Sequence, residues 1–235
     1  MSGSEAQKRA AGEAAALRVE PGMTVGLGTG STAAFFIAAL GRRVREEGLR
    51  LRAAVATSRA SEVVAAQAGI SITDLNDVGR IDLTIDGADE VGPGLALIKG
   101  GGAALTREKL VWEASDRCLV IADAAKRVAL LGAFPLPVEV VAFGHATTAH
   151  RLERAAAHAG APAKPALRTR DGAPLVTDNG GLIYDLACGA IPDVVGLAQA
   201  LKGLTGVIEH GLFPGLADEA LIGTDDGVVT LTPHG

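Results

Sequence analysis

The chain has 235 residues, a formal net charge of −5, 48% apolar and only 3% aromatic side chains, enough to bury a sizeable core in one large or two modest domains. It has no Lys/Arg-rich run, which argues against a nucleic-acid partner, and its longest apolar stretch, Val128 to Phe143, is broken by Pro135, Pro137 and Glu139, so no bilayer span is expected. The first residues, including Ser2, Ser4, Glu5 and Lys8, form no hydrophobic signal region, and Cys118 and Cys188 lack metal spacing, so a cytoplasmic protein with reduced thiols is expected.

Ser2 and Glu5 have the spacing of a capping box before an Ala-rich helix that runs to about Leu17 and stops at Pro21-Gly22. Met23–Leu27 reads as a buried strand, Thr32–Glu47 as a helix ended by Gly48, Leu51–Ala56 as a strand and Ser58–Ala68 as a helix. Short strands follow at Ile70–Thr73, Ile81–Ile85 and Leu95–Ile98, then a helix over Ala103–Ala114 and a strand at Cys118–Ala122. Strands alternating with helices predict a mostly parallel sheet covered on both faces, a Rossmann-like α/β domain.

After Leu131 the order changes. Strand Pro137–Phe143, helix Thr147–Ala159, strands at Pro165–Thr169, Pro174–Thr177 and Leu182–Ala187, helix Pro192–Leu204 and strand Gly206–Glu209 make a split βαβ, ferredoxin-like unit. Ala220–Thr232 reads as strands returning to the main sheet. The expected division is a catalytic domain of 1–131 with 206–235, and an inserted α+β domain of 132–205.

Gly26-Leu27-Gly28-Thr29-Gly30-Ser31-Thr32 joins a strand to a helix, where backbone N–H groups and the positive helix end face an anion. A dinucleotide fingerprint would need Gly in place of Ser31 and an acid where Thr57-Ser58 stands, and a P-loop would need Gly-Lys-Ser/Thr. A monophosphate therefore fits best, with a tight turn and a Ser helix cap as the alternative. Asp86 and Asp89, in Asp86-Gly87-Ala88-Asp89-Glu90, follow an apolar run and fall beyond a strand's carboxyl end, where ligands of parallel sheets bind. Two neighbouring carboxylates divide proton-transfer roles when their environments differ. A turn with a helix cap, or a Mg²⁺ site, are the other readings. Lys99, opening Lys99-Gly100-Gly101-Gly102, makes a metal less necessary, because an ammonium stabilises an oxyanion itself.

At roughly 100° per residue, Ala104, Leu105, Val111 and Trp112 lie within about 60° of Glu108, so this carboxylate is centred on the apolar arc of its helix. Such a group is costly unless paired or functional, and partial burial moves a carboxyl toward the range of a general base. A structural ion pair with Lys99 or Arg107 is the alternative. Lys126 follows the strand Cys118–Ala122, and Lys8 lies on the first helix. The five histidines show no ligand spacing.

In wording and order, Gly26–Ala33, Asp86–Glu90 and Lys99–Lys109 resemble type A ribose-5-phosphate isomerase, and weaker similarity continues through PLPVEV (135–140), TDNGGLIYD (177–185), Gly211–Phe213 and Ala220–Gly227. The resemblance implies a Rossmann-like domain with an inserted ferredoxin-like lid, and interconversion of ribose 5-phosphate and ribulose 5-phosphate through an enediolate. It also implies a homodimer or homotetramer, no cofactor, and a small sugar phosphate as the partner. By the same resemblance Thr29, Gly30, Ser31 and Thr32, the segment Asp86, Gly87, Ala88 and Asp89, and the segment Lys99, Gly100, Gly101 and Gly102 bind substrate. Glu108 is the proton acceptor, Lys99 with Asp89 stabilises the oxyanion, and Asp86 helps open the furanose ring. Lys126 contacts substrate and Lys8 matches a phosphate-binding lysine. The family's pattern is departed from mainly in the insertion and around Ala124-Ala125. A non-catalytic sugar-phosphate sensor and an amino-sugar phosphate deaminase are the competing functions.

Overall fold

Apolar runs such as Val25–Leu27 and Leu119–Ala122 have no polar face to offer water and must be covered on both sides. The computed structural model describes residues 3–234, so Ser2 of the expected capping box lies outside the described residues. In chain order the elements begin with α1 (Gly3–Ala16), β1 (Thr24–Leu27), α2 (Ser31–Glu46), β2 (Ala53–Ala56), α3 (Arg59–Gln67), β3 (Leu83–Gly87), β4 (Glu90–Val91), β5 (Leu97–Ile98), α4 (Leu105–Glu113) and β6 (Cys118–Asp123). They continue with β7 (Leu136–Val140), α5 (His145–His158), β8 (Pro165–Leu167), β9 (Thr169–Arg170), β10 (Ala173–Pro174), β11 (Leu182–Leu186), α6 (Val194–Lys202), β12 (Val207–His210), β13 (Leu212–Phe213), β14 (Glu219–Thr224) and β15 (Gly227–Leu231).

The chain divides into two compact units. The first comprises 1–88, 107–127 and 215–235, and its sheet has the strand order β15-β14-β6-β3-β1-β2. Every pairing is parallel except the edge pair β14–β15. Val25, Leu27, Leu83, Ile85, Leu119 and Ile121 alternate along three neighbouring strands and enter one core with Ala11 and Ala15 of α1 and Phe36, Ile37 and Leu40 of α2. Small residues on α1 and small or branched ones in the strands fill that layer, which is how a chain so poor in aromatic rings packs it. On the other face Val111 of α4 packs with Val55 and Ile81.

The second unit comprises 89–106 and 128–214. A four-stranded antiparallel sheet of order β12-β7-β11-β8 is the arrangement expected of the split βαβ order. Leu152 and Ala156 of α5 and Leu197 and Leu201 of α6 bury against Val138, Val140, Tyr184 and Leu186. The expected insertion began at 132 and ended at 205, whereas 89–106, 128–131 and 206–214 fall within this unit. The physical reason is pairing: β4, β5 and β13 form a three-stranded antiparallel sheet, and Ile98 and Leu212 share the core of Val138 and Leu186.

Two expected strands are absent as such. Ile70–Thr73 makes only one backbone bond to β2, from the Thr73 N–H to the Ala54 carbonyl (2.8 Å), after Gly69 has turned the chain with φ +77°. Pro174–Thr177 is reduced to the second arm of the β9–β10 pair and an isolated bridge from Val176 to Leu182, as Pro174 has no N–H to give a ladder.

Neither cysteine is in a disulfide; Cys118 is buried and Cys188 half-buried, and burial pushes the Cys188 thiol up to about 11 from its ordinary 9.0. Two units of pKa correspond to about a hundredfold less thiolate near pH 8. Iodoacetamide should therefore modify Cys188 about a hundredfold more slowly in the native chain than in urea, with peptide mass spectrometry as the readout. Equal rates at pH 8 would refute the buried placement.

Candidate active site

The β1–α2 connection, expected from the sequence to cradle a phosphate, leaves the start of α2 open. Gly30, at φ +105°, is the N-cap of α2, and no side chain caps the helix. The first-turn N–H groups of a helix have no intrahelical acceptor, so this terminus offers donors and a partial positive charge. Ser31 at the helix start is exposed and Thr32 is buried.

Asp86, fully buried at the end of β3, holds this connection in place. Its Oδ1 accepts the Thr29 N–H at 2.9 Å and the Gly87 N–H at 2.7 Å. A Cβ on Gly28 would lie 2.2 Å from the same oxygen and 2.5 Å from the Asp86 Cα, so only glycine permits this approach. Thr29 thus gives its N–H to Asp86, and its hydroxyl lies 2.7, 2.8 and 3.0 Å from those of Thr57, Ser58 and Ser61. The Ser61 hydroxyl in turn donates to the Gly28 carbonyl at 2.7 Å. Of the expected cradle residues, Thr29 directs both donors into the fold, while Gly30, Ser31 and Thr32 form the open helix start. Thr57, Ser58 and Ser61 were not singled out from the sequence; the only signal was hydroxyl residues at the end of the second strand.

Asp123, which sequence reasoning passed over, meets Lys8 and caps the turn that carries Lys126. Asp123, buried at the end of β6, lies 3.8 Å from the Lys8 ammonium and caps the short turn carrying Lys126 by accepting the Ala125 N–H at 3.1 Å. Its position beyond a parallel strand, like that of Asp86, was the available signal. Glu108 is 4% exposed on α4, between the buried Leu105 and the buried Val111 and Trp112, as its place on the apolar arc predicts; Leu110 is exposed. Lys109 is buried as well. Arg107 lies 3.9 Å from Glu62. Ala88 is the last residue of the first unit before the chain passes into the second.

In the second unit, Asp89 and the Lys99–Gly102 segment are joined directly. Asp89 Oδ2 accepts the Gly101 N–H at 2.7 Å, and its own N–H donates to the Ile98 carbonyl at 2.8 Å. Gly100 takes φ +106°, and the Ala103 N–H donates back to its carbonyl at 3.0 Å, closing a turn over Gly101 and Gly102. Lys99 directly follows β5 and is 2% exposed, with its ammonium 5.5 Å from the centroid of the Phe213 ring. Among the described residues, no three His, Cys, Asp or Glu side chains group as a metal-ligand set.

Residues 53–227 match the family model described as ribose 5-phosphate isomerase A (phosphoriboisomerase A). Ribose-5-phosphate isomerase A of Caulobacter vibrioides is 61% identical over 227 residues, covering 97% of this chain and 98% of that relative. The solved ribose 5-phosphate isomerase A of Methanocaldococcus jannaschii is 37% identical with a TM-score of 0.89, covering 96% of this chain and 98% of the other. A D-ribose-5-phosphate isomerase solved with phospho-erythronic acid is 35% identical with a TM-score of 0.90, over 97% and 99% of the two chains.

Asp86→Ala tests the hold on the cradle. Removing the acceptor leaves the Thr29 and Gly87 N–H groups without it, at a cost of about 2–4 kcal/mol. Urea unfolding should show that loss, and hydrogen exchange should accelerate at the amides of Thr29 and Gly87. Unchanged stability and exchange would show that the carboxylate does not hold the loop.

Proposed function

This chain belongs to the ribose 5-phosphate isomerase A family and interconverts ribose 5-phosphate and ribulose 5-phosphate, and from that premise we propose that Glu108 is the base that moves the proton between C2 and C1. Starting from the aldose, Glu108 takes the C2 proton and leaves a cis-enediolate; returning the proton to C1, with a hydroxyl proton passing from O2 to O1, gives the ketose. The observation that carries this reading is a carboxylate 4% exposed on a helix that also buries Leu105, Val111 and Trp112, a place where a carboxyl group is costly unless it is paired or has a function to perform.

The remaining roles follow from local chemistry. Gly30, Ser31 and Thr32 bind the phosphate at the open start of α2, with Lys8 and Lys126 supplying positive charge, and Thr29, Gly87 and Ala88 shape the segment around it. In the second unit Lys99 stabilises the enediolate oxygen, and Asp89 holds Gly100, Gly101 and Gly102 in the turn that follows Lys99. Asp86 assists ring opening through its carboxylate while Oδ1 holds the cradle. A fixed ammonium and fixed backbone dipoles lower the energy of a developing oxyanion without a cofactor. The solved relative with phospho-erythronic acid supports a phosphorylated ligand. No helix among the described residues is long and apolar enough to cross a membrane. A homodimer or homotetramer in the cytoplasm completes the proposal.

Glu108→Gln keeps the size and hydrogen bonding of the side chain but cannot take a proton at neutral pH. Turnover of ribose 5-phosphate should fall 10²–10⁴-fold, about 3–5 kcal/mol in the barrier, with near-normal KM and with loss of deuterium exchange at C2. A folded variant that turns over at nearly the parent rate would move the base to another carboxylate.

Turnover should also survive exhaustive dialysis against EDTA, because the Lys99 ammonium supplies the positive charge that a divalent ion would otherwise bring. Activity lost on chelation and regained with Mg²⁺ or Mn²⁺ would contradict this.

A further inference from the structure

The Lys99–Gly102 segment is held on two sides, and one of the holding residues has no role in the reading above. Arg168, between β8 and β9, donates from Nη1 to the carbonyls of Gly100 at 2.9 Å and Gly101 at 3.1 Å. Its Nε donates to Asp185 Oδ2 at 2.8 Å, and Nη2 pairs with Asp185 Oδ1, a bidentate contact. Asp185 lies on β11, opposite Ala166 of β8. The Arg168 and Asp185 side chains are 14% and 24% exposed, so solvent screens this pair only in part.

A run of three glycines has little stiffness of its own. Here its carbonyls are fixed by a guanidinium, and its Gly101 N–H is fixed by Asp89 from the other direction. The Gly100–Gly101 peptide plane is held at both its C=O and its N–H and the next plane at its C=O, so the backbone dipoles following Lys99 are oriented before any ligand arrives. We propose that Arg168, oriented by Asp185, is a positioning residue for the reaction: it locks the Gly100–Gly101 peptide planes so that Lys99 and the adjacent backbone meet the developing oxyanion without reorganisation. The inference rests on the role given to Lys99 above. A planar fork with five donors is required, since one side chain serves two carbonyls and a carboxylate together. A lysine keeps the charge but cannot make that set of contacts.

Arg168→Lys and Asp185→Asn are compared with the parent and with Lys99→Met, by steady-state kinetics on ribose 5-phosphate and by peptide-level hydrogen exchange. For Arg168→Lys, kcat should fall at least tenfold while KM changes less than threefold. Exchange should rise in peptides spanning 99–103 and stay at parent values in β7 and β11. Asp185→Asn should show the same pattern more weakly. Parent-like kcat in a folded Arg168→Lys, or exchange raised throughout 128–214 together with the loss of turnover, overturns the proposal, the second because it marks a purely structural pair. If Lys99→Met remains active, the site reading itself fails, and the exchange at 99–103 still decides whether Arg168 holds the glycines. If Lys99→Met is inactive and Arg168→Lys is not, only the positioning role falls.

Discussion

Asp86 has no exposed surface, and a carboxylate so placed requires hydrogen-bond donors in return for its lost hydration. It receives them from the Thr29 N–H of the loop it supports and from the Gly87 N–H of its own strand. That arrangement couples two parallel strands at their carboxyl ends: β1, which leads into the cradle, and β3, which carries the acid. Gly28 has to be glycine because the two chains approach too closely for a Cβ. The open start of α2 is therefore a consequence of where Asp86 sits, and the hydroxyls of Thr57, Ser58 and Ser61 hold the same loop from the β2–α3 side.

The second unit solves a similar problem with a different device. Glycine-rich backbone offers close approach to a ligand but loses much entropy when it is fixed. Asp89 and Arg168 hold the glycine turn after Lys99 through opposite ends of its peptide groups. Other buried carboxylates in this unit act in the same manner: Glu90 accepts the N–H groups of Gly132 and Phe134 at 2.7 and 2.6 Å, and Glu139 accepts the hydroxyls of Thr106 and Thr177. Acids that bond to backbone or hydroxyl groups in this way position the chain.

Much of this was legible in the sequence. Alternating short strands and amphipathic helices determined a parallel sheet with helices on both faces, since strands without a polar side cannot face water. The order after Leu131, a strand, a helix, three short strands, a helix and a strand, determined an antiparallel sheet of split βαβ type. The 3.6-residue period placed Glu108 on the buried side of its helix, where it lies, and the motifs around Gly28, Asp86 and Lys99 identified the family. All of these are local in sequence or rest on periodicity, which is why one chain sufficed to read them.

Tertiary structure alone decided the rest. Strands of two residues, β4 and β13, are too short to carry a period, so the inclusion of 89–106 in the second unit was invisible until their pairing with β5 was seen. Hydrogen bonds from Arg168 to Gly100 and Gly101, and from Thr29 to Asp86, join residues 57 or more positions apart. Spacing along a chain says nothing about such contacts. Asp123 looked like an ordinary acid at a strand end until folding brought Lys8 to it from the first helix. Sequence determined which residue types were present at each strand end; only the packed sheet decided which of them would meet, because a carboxylate's partners are set by the neighbouring strands and not by its neighbours in the chain.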